Sequence, residues 1–474
     1  MITLQVAAAC LGAFLIFHII RVERRIADVP GPFIARFTDW WRVYHYIKGD
    51  WGETILWWHQ RYGDLIRTGP NRISVGDPLE VPRVYQVKPL LHKGTMYRTL
   101  IGWFRGENVA GLEGMVDEVQ HANTKRVIAS AYSWNAVVGY EPQITYSALE
   151  LIDNIGKHPV IDINDWIPWW GIDSMNRIAF SSSLGFMKNA RDVGRTLEAT
   201  RKITAGIAYM GAFPTIFMWI AWALSTVIGP SGRLVNLCMG IVNSRLSGKD
   251  ASEMGHWNGE PILLEKEAMN AKGDLLDAFI KAGKEQPKLF PHSRVIGMTF
   301  TTILAGSDTT AYNLSWTIYY LLKNPAYIVR LQEELDRAAQ QGELSYPPSL
   351  AELSKLPYLE AVIKEGLRYA VLLQMHMERV VPKEGMEICG YSVPGGITVG
   401  CISKVIHMNK EVYGEDAERF RPERWLEASP EKLKVMERCG IWFGAGKHTC
   451  IGQHFARAKT LKVLSMILMN FNVS

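Results

Sequence analysis

A short segment near the end of the chain, residues 443–452, constrains the fold more than any other because it places one cysteine between a glycine-rich loop and a helix. Glycines let such a loop turn sharply and point backbone N–H groups at the sulfur of Cys450. Apolar residues recur with a helical period over residues 452–471, and the positive end of that helix would lower the pKa of the thiol. The pattern indicates a thiolate that ligates a metal, with Phe443 covering one face of a large planar ligand. The alternative is a buried structural cysteine beside a glycine turn.

The same segment resembles the heme-binding loop of the cytochromes P-450, Phe-x-x-Gly-x-(Arg/His)-x-Cys-x-Gly, and it matches that motif at every defined position. By this resemblance Cys450 is the proximal iron ligand of heme b. Phe443 and Gly446 belong to the cofactor-binding residues, and His448 matches a position that contacts a heme propionate. The resemblance covers nearly the whole chain and implies a mainly α fold with a smaller β region.

The composition fits a large enzyme of this kind. The 474 residues, of which 48% are hydrophobic, can fill a large core. The six cysteines are scattered without a C-x-x-C pair, which argues against a disulfide framework and a structural zinc site and favours a reducing compartment. A net charge of +5 is small for this length, so we expect no nucleic-acid partner.

The N-terminus has the pattern of a membrane anchor. Residues 1–20 contain no Asp, Glu, Lys or Arg, and as a helix they would span about 30 Å, the thickness of a bilayer core. Arg21, Arg24 and Arg25 follow, so the positive-inside rule leaves the rest of the chain on the cytosolic side. A cleaved secretory signal is the alternative, but the basic cluster lies after the apolar run and no small-x-small site precedes it. We therefore predict a single-pass protein of the endoplasmic reticulum membrane.

The chain divides into three unequal parts. We predict a transmembrane anchor over residues 1–21, a basic and proline hinge linker over 22–34, and a heme-thiolate catalytic domain over 35–474. The linker contains a Pro-Gly-Pro sequence that resembles the proline hinge of microsomal cytochromes P-450. In that family a last β-hairpin forms one wall of the substrate pocket. Because the chain ends 24 residues after Cys450, we expect this C-terminal hairpin to be absent.

A second apolar stretch, residues 213–228, contains Trp219 and Trp222. One interpretation is a buried core helix, since the stretch is short for a membrane span and has Pro214 near its start. The other is a membrane-dipping or substrate-channel segment, because tryptophan suits a bilayer interface. By the resemblance, this stretch lies near the two helices that roof the active site. The sequence leaves both interpretations open.

The centre of the chain, residues 294–323, is apolar on nearly every face and predicts one long helix through the core. Halfway along it, residues 305–310 read Ala-Gly-Ser-Asp-Thr-Thr, and glycine and consecutive threonines are poor choices for a helix interior. Threonine hydroxyls can bond back to carbonyls and open a notch; the alternative is a loop between two helices, with Asp308 as an N-cap. The hexapeptide equals the oxygen-activation motif of the cytochromes P-450. By that resemblance Thr309 and Asp308 are catalytic: Thr309 hydrogen-bonds dioxygen, and Asp308 helps to relay protons to it.

A third motif, Glu365-x-x-Arg368, stands in a helix predicted to begin near Pro357. Glu and Arg three residues apart share a helical face, but the pattern occurs five times in the chain and most such pairs are solvated. The context distinguishes this copy, because Arg424 follows in the order found in the family. By the resemblance these three residues form a buried structural triad behind the heme. Their bidentate arginine bonds would fix the loop that carries Cys450.

Heme also carries two propionates, which need cationic partners. Arg379 and His448 match family positions that contact them. The segment from His121 resembles the helix-C motif of the family, with His121 where many members have tryptophan and Lys125 at the usual arginine position. The sequence does not decide whether Lys125 or the adjacent Arg126 reaches a propionate.

Together the motifs predict a heme-thiolate monooxygenase that inserts one oxygen atom from O2 into a small, largely apolar organic substrate by hydroxylation, demethylation or epoxidation. Segments around the motifs resemble fungal microsomal cytochromes P-450 of the pisatin-demethylase-like kind, many of which act in specialised metabolism. The chain has no nucleotide-binding glycine motif in a βαβ setting, so electrons must come from outside. The resemblance implies an NADPH-dependent flavoprotein reductase as the donor, with cytochrome b5 as a further candidate.

Four basic residues near the cysteine are candidates for docking the reductase, although each also fits a solvated basic face: Lys447, Arg457, Lys459 and Lys462. Two other functions stay open. One is a heme-thiolate isomerase or dehydratase that needs no dioxygen, and the other is an inactive truncated heme protein.

Overall fold

The chain is largely helical with a smaller part built from short strands, as the sequence predicts. The computed structural model describes residues 23–86, 88, 90–104, 106–227, 233–247, 256–257, 260–261, 265–266 and 273–473. The predicted transmembrane anchor lies outside these residues. Within the described ranges, no helix combines the length and the apolar character that a membrane span requires.

About half of the described chain folds into helices of nine or more residues, which are numbered in chain order. They are α1 (Trp40–Lys48), α2 (Trp51–Tyr62), α3 (Glu118–Ile128), α4 (Glu141–Ile155), α5 (Ile163–Phe180), α6 (Thr196–Met210), α7 (Pro214–Val227), α8 (Arg233–Ser247), α9 (Leu275–Glu285), α10 (His292–Gly306), α11 (Asp308–Leu322), α12 (Pro325–Gln340), α13 (Pro357–Tyr369), α14 (Pro430–Cys439) and α15 (Gln453–Asn470). Shorter α-helical segments are Val81–Val84, Trp134–Gly139, Phe186–Asn189, Leu350–Leu353, Ser403–His407, Lys410–Tyr413 and Arg424–Glu427. Side chains fix the start of several helices; at α3, Asp117 accepts the backbone N–H of Gln120 at 2.8 Å.

The strands are short, and the largest sheet contains five of the thirteen in the described part of the chain. They are β1 (Leu65–Gly69), β2 (Arg72–Val75), β3 (His92–Lys93), β4 (Gly102–Phe104), β5 (Glu107–Val109), β6 (Ser182–Ser183), β7 (His256–Trp257), β8 (Glu260–Pro261), β9 (Glu265–Lys266), β10 (Arg379–Val380), β11 (Met386–Ile388), β12 (Tyr391–Val393) and β13 (Thr398–Cys401). The five-stranded sheet has the order β1-β2-β13-β10-β3, in which only β13 and β2 run parallel. Four further pairs, β4-β5, β6-β9, β7-β8 and β11-β12, are two-stranded.

The largest apolar core lies among α4, α5, α8 to α13 and α15, and a second core covers the five-stranded sheet. Close helix crossings position the site. At Gly366 on α13 a Cβ would collide with Thr317 on α11, and Asn313 on α11 donates its side-chain amide to the Gly366 carbonyl at 3.1 Å. The helix α13, which carries Glu365 and Arg368, is therefore packed closely against α11, which begins at Asp308.

The predicted central helix is interrupted. α10 ends at Gly306 and α11 begins at Asp308, with Ser307 between them at φ −97° and ψ −69°. The prediction of one continuous helix is wrong at this residue, and Asp308 is not the N-cap. The hydroxyl of Thr309 does bond back, donating to the carbonyl of Ala305 at 2.7 Å. Such a bond draws a carbonyl away from the regular ladder and accounts for a local break.

The described part of the predicted hinge packs on the sheet. The N–H of Arg67 in β1 donates to the carbonyl of Pro30 at 2.6 Å. The guanidinium of Arg67 donates to the carbonyls of Glu23 at 3.0 Å and Ile26 at 3.4 Å. Residues 23–30 are thus tied to the first strand of the sheet by one backbone bond and by the guanidinium of Arg67.

Candidate active site

Backbone geometry closes the glycine-rich loop around Cys450. The N–H of Cys450 donates to the carbonyl of Phe443 at 2.7 Å, which joins the two ends of the loop. Gly446 has φ +64°, and a Cβ there would collide with the carbonyl of Tyr85, so only glycine fits without rearrangement. The loop therefore presents the cysteine side chain from a backbone that is fixed at both ends.

The Cys450 thiol is accessible, and α15 begins three residues later at Gln453. Dense protein nevertheless surrounds the sulfur, and this burial raises the net pKa of the thiol. The backbone N–H groups of Gly452 and Gln453, together with Lys125, lower the pKa but do not compensate. The prediction of a lowered thiol pKa is therefore wrong for the protein alone. Desolvation destabilises the thiolate more than the backbone N–H groups and Lys125 stabilise it. A metal ion at the sulfur would supply the missing positive charge.

Lys125 on α3 binds the same loop. Its Nζ donates to the carbonyls of Lys447 at 2.9 Å and Thr449 at 2.8 Å, immediately before Cys450. Arg126 is exposed and makes no hydrogen bond or ion pair with any residue that the structure describes. Adjacent residues of a helix point in different directions, so the structure brings Lys125 to the loop and leaves Arg126 at the surface.

Arg379, His448 and Glu118 form a chain of hydrogen bonds beside the loop. Nη2 of Arg379 donates to Nδ1 of His448 at 3.1 Å, so Nε2 of His448 carries the proton and donates to Glu118 at 2.8 Å. Burial lowers the pKa of His448, which keeps the ring neutral. Burial opposes the Glu118 charge, yet the bond from His448 brings the pKa of Glu118 down to about 2. Arg379 thus contributes a positive charge next to the cysteine loop.

His121 lies on the same side. Its ring centroid is 4.8 Å from that of His448, and burial, aided by Lys93, lowers the pKa of His121 to about 3. His121 is therefore a neutral hydrogen-bonding group rather than a cation, which distinguishes it from Lys125 and Arg379.

Two further residues of this cluster, Glu118 and Lys93, belong to none of the sequence motifs. Glu118 stands three residues before His121 on α3, and that spacing, which shares a helical face, was a usable signal. Lys93 is buried on β3 opposite Arg379 of β10, and burial lowers its pKa to about 8. Its Nζ donates to three carbonyls, those of Leu112, Glu113 and Met115. No local motif marks Lys93, because its partners come from backbone twenty residues away.

The break between α10 and α11 forms the other part of the site. Ala305 is exposed although most of α10 is buried, so this helix has an open position directly before the break. The Asp308 side chain is partly buried, and Nε of Arg201 lies 3.9 Å from its Oδ1. Burial raises the pKa of Asp308, and Arg201 offsets this in part. A carboxyl of raised pKa beside the Thr309 hydroxyl is suited to holding and passing a proton.

The structure brings Glu365, Arg368 and Arg424 together, all buried. Glu365 accepts bonds from Nε and Nη2 of Arg368 at 2.9 and 2.7 Å and from Nε of Arg424 at 3.0 Å. His407 connects this group to the cysteine loop. Its Nδ1–H donates to the carbonyl of Arg368 at 3.1 Å, and its Nε2 accepts the N–H of Ile441 at 3.1 Å, where the loop begins. Two hydrogen bonds therefore link the arginine helix to the cysteine loop.

These residues fit a heme. Cys450 is accessible, yet among the described residues it belongs to no cluster of potential metal ligands. The chain thus offers one thiolate and leaves the other coordination positions to the cofactor, as heme requires. The positive side chains of Arg379 and Lys125 beside the loop complement the negative charge of heme propionates. The exposed position at Ala305 leaves space beside α10 for the cofactor.

Two of the predicted docking residues are not at the surface. Lys459 and Lys462 are buried, and Lys462 pairs with Glu141 at 2.8 Å, so their assignment to a basic docking face is wrong. The reason is that α15 is enclosed on nearly all sides, and its lysines point into the interior. Lys447 is exposed, and Arg457 is partly exposed but ion-paired.

Comparison with known proteins agrees with this geometry. Residues 94–474 match the family model of the cytochromes P-450. A cytochrome P-450 monooxygenase of Aspergillus terreus is 32% identical over 473 residues, which cover 97% of this chain and 92% of the relative. Cytochrome P-450 monooxygenases of Aspergillus flavus and Emericella nidulans are 31% and 30% identical; each match covers 96% of this chain, with 89% and 90% of the respective relative. The chain therefore belongs to the cytochrome P-450 family and is a heme-dependent monooxygenase that receives electrons from a redox partner.

Proposed function

We propose that this protein inserts one atom of dioxygen into a small, largely apolar organic molecule by hydroxylation, demethylation or epoxidation, in fungal specialised metabolism. The observation that carries the proposal is the combination of an accessible thiol at Cys450 with a helix break at Ser307. When bound, heme supplies the activation of dioxygen and its insertion into the substrate. The relatives, all fungal monooxygenases, support the same class of reaction.

The residues of the loop and its surroundings hold the cofactor in this proposal. Cys450 would ligate the heme iron, and Phe443 and Gly446 would contact the cofactor. Arg379, His448, His121 and Lys125 would contact the propionates, and Lys125 also fastens the loop through the carbonyls of Lys447 and Thr449. Arg126, exposed on α3, is left without a contact to this group.

The break at Ser307 provides the groups that manage protons. Asp308, whose pKa is raised by burial, holds a proton near neutral pH more readily than an exposed aspartate. The Thr309 hydroxyl donates to the Ala305 carbonyl and can accept a hydrogen bond at the same time. Together, Asp308 and Thr309 would hold a proton and orient it beside the open position at Ala305.

Replacing Thr309 by alanine should separate electron consumption from product formation. The Thr309→Ala variant should still bind heme and consume NADPH and oxygen, because Cys450 and the loop are untouched. Without the hydroxyl, protons arrive wrongly placed, and product formed per NADPH should fall by about tenfold or more while hydrogen peroxide rises. The measurement is the ratio of product to peroxide to NADPH in a reconstituted system with reductase.

Thr299→Ala is the matched control, because the Thr299 hydroxyl makes the same kind of back-bond on α10, to the carbonyl of Val295 at 2.9 Å. It should leave the coupling unchanged. Unchanged coupling in Thr309→Ala would instead make the hexapeptide structural, and we would withdraw the catalytic roles of Asp308 and Thr309.

We infer the character of the substrate from apolar side chains in a segment that lines the substrate in the resembled family. The segment after α13, which lines the substrate in the resembled family, has Val371 where proline is common and exposes Leu372 and Leu373. Together with Ala305 they favour an apolar molecule over a charged one. The substrate can be identified by incubating the enzyme with candidate metabolites. Mass spectrometry then detects gain of oxygen or loss of methyl.

The same assay tests the alternatives. An isomerase or dehydratase of the same cofactor would convert its substrate without NADPH and oxygen, and an inactive protein would consume neither. The proposed electron source is NADPH through a flavoprotein reductase, with cytochrome b5 as a second donor. Exposed Lys447 is the basic residue of the loop that remains available for such a partner.

We further propose that the protein sits on the endoplasmic reticulum membrane with its catalytic domain in the cytosol. α7 is not a buried core helix, since Trp219 is 66% and Trp222 43% exposed, with Ile216 and Ile220 beside them. A second apolar surface spans residues 33–47, and its exposed aromatic and aliphatic side chains are Phe33, Ile34, Phe37, Trp40, Tyr44 and Ile47. The rings of Trp40 and Phe213, 4.9 Å apart, join the two surfaces. A continuous apolar face of this kind, following a predicted anchor, favours contact with lipid.

Deleting residues 1–21 should move part of the protein from the membrane fraction to the supernatant. Adding Trp219→Ser and Trp222→Ser to this deletion should release most of the remainder, because the apolar face then loses its two largest exposed rings. Sedimentation with liposomes measures both steps. Val160→Ser with Val329→Ser, also exposed apolar residues, is the control and should release nothing further; equal release by the control would refute the assignment of α7 to the membrane.

A further inference from the structure

Lys459 is a fully buried lysine without a counter-ion. Its side chain, on α15, is 0% exposed, and no carboxylate among the described residues pairs with it. Nζ donates to the carbonyls of Gly171 at 3.2 Å and Gly306 at 3.4 Å and lies 5.0 Å from the Trp170 ring centroid. Buried lysines are rare unless paired, so this arrangement calls for a physical reason.

The carbonyl that Lys459 reaches is the last one of α10. The final carbonyls of a helix have no partner within the helix, and a lysine near that end satisfies them and complements the helix dipole. Gly306 is the last residue of α10, directly before the break at Ser307. Lys459 therefore caps α10 at the point where the chain departs from helical geometry.

The surroundings of the break leave little freedom to adjust. A Cβ at Gly171 on α5 would stand 2.9 Å from the carbonyl of Ser307, and a Cβ at Gly306 would stand 2.9 Å from the sulfur of Met175. α5 thus touches the break directly, and Lys459 bonds to both sides of that contact through the carbonyls of Gly171 and Gly306. Because α15 begins just after Cys450, Lys459 joins the helix of the cysteine loop to the helix break.

We propose that Lys459 is a positioning residue for the proposed oxygen activation: by capping Gly306 it holds the break in place and thereby orients Asp308 and the Thr309 hydroxyl. The inference rests on the proposed function, since it assigns Lys459 a role through those two residues. It does not require Lys459 to touch the substrate or the cofactor.

Among the residues that the structure describes, no carboxylate on the helices packed around Lys459 pairs with it. α5 contributes Asp173, whose carboxylate accepts the N–H of Met187 at 2.9 Å, and α11 contributes Asp308, which lies beside Arg201. Burial lowers the pKa of Lys459 to about 7 from its ordinary 10.5. Between these pH values the folded protein has released a proton that the unfolded chain retains, so folding becomes more favourable as the pH rises. Below about pH 7 both states are protonated, and the folded state bears the full cost of the buried charge.

The test replaces Lys459 by methionine, which has a similar length but no donor. In the reconstituted system with reductase, Lys459→Met should raise the hydrogen peroxide released per NADPH by about twofold or more, as expected when a residue acts through a neighbour. The C–O stretch of the ferrous carbonyl complex should also shift, because the groups at the break are displaced. Lys462→Met is the matched control: Lys462 is equally buried on α15 but pairs with Glu141, and its variant should leave both readouts unchanged.

A double variant shows whether Lys459 acts through Thr309. If it does, Lys459→Met adds no further peroxide in the Thr309→Ala background, since the group it positions is gone. Additive effects, or wild-type peroxide and C–O stretch in Lys459→Met, would overturn the proposal. If Thr309→Ala itself does not uncouple, the proposed role of Thr309 fails, and the C–O stretch alone then decides for or against Lys459.

A stability measurement confirms that the variant folds and that the charge is buried as described. Circular dichroism gives the unfolding temperatures of Lys459→Met and wild type. The unfolding temperature of the variant minus that of wild type should be larger at pH 6 than at pH 9. A difference that does not vary between these pH values would contradict a lysine buried without a counter-ion.

Discussion

Cys450→Ser should abolish the strongly red-shifted Soret band of the ferrous carbonyl complex, together with monooxygenase turnover. The hydroxyl of serine does not replace a thiolate, which both ligates the iron and donates the electron density that favours O–O cleavage. The loss of turnover should exceed the roughly 10–100-fold that removal of an outer-shell partner costs at a metal site. The carbonyl difference spectrum of the purified protein and a turnover assay measure the two effects.

Cys439→Ser is the control, because Cys439 is the nearest other cysteine in the sequence. Its sulfur is buried at the end of α14, 3.5 Å from the carbonyl of Pro78, and it stands outside the glycine-rich loop. The control should keep the band. If Cys450→Ser retained the band and Cys439→Ser lost it, the assignment of Cys450 as the iron ligand would be wrong.

Local sequence patterns predicted the elements whose geometry depends on local chemistry. The helix after the cysteine loop was predicted over 452–471 and observed over Gln453–Asn470, because its apolar period is regular and glycine marks its start. The back-bond of Thr309 to Ala305 was likewise predictable from residue type alone. The sequence also offered an opening of the helix within residues 305–310, but not its position at Ser307, where Gly171 of α5 packs against the break.

Predictions that depended on side-chain surroundings failed where the partners came from distant segments. The sequence predicted that Lys459 and Lys462 lie on a basic surface. Their partners come from other helices: Lys459 bonds to the carbonyls of Gly171 and Gly306, and Lys462 pairs with Glu141. The same limit explains the pKa of the Cys450 thiol. The helix dipole is visible in the sequence, whereas the desolvation that outweighs it depends on the packed fold.

The triad illustrates the intermediate case. Five Glu-x-x-Arg pairs occur in the sequence, and spacing alone does not distinguish them. The pair at 365 and 368 is completely buried, whereas in the pair at 80 and 83 the arginine side chain is 52% exposed. The order of motifs along the chain singled out the buried copy, but the bridge through His407 to Ile441 has no sequence signal.

Glu365→Gln should destabilise the protein by about 3–5 kcal/mol, the cost of removing one partner of a buried ion pair. The glutamine side chain keeps the shape but leaves Arg368 and Arg424 buried without a negative charge. Because Arg368 binds His407, and His407 binds the backbone of Ile441, the cysteine loop should loosen as well. We therefore expect a lower guanidinium midpoint by far-UV circular dichroism and loss of the ferrous carbonyl band at a denaturant concentration below that midpoint.

Glu198→Gln tests whether burial, and not the motif, causes this effect. Glu198 is also followed three residues later by an arginine, but its side chain is 40% exposed and it pairs with the exposed Lys202 and Arg195. A surface pair contributes only about 0–1 kcal/mol, so the control should unfold close to wild type. Glu365→Gln could instead unfold at the same midpoint as Glu198→Gln and keep its carbonyl band to that point. The triad would then not fix the loop, and the bridge through His407 would not stabilise it. The difference between the two variants is thus a direct measure of how much the buried charge network contributes to holding Cys450 in place.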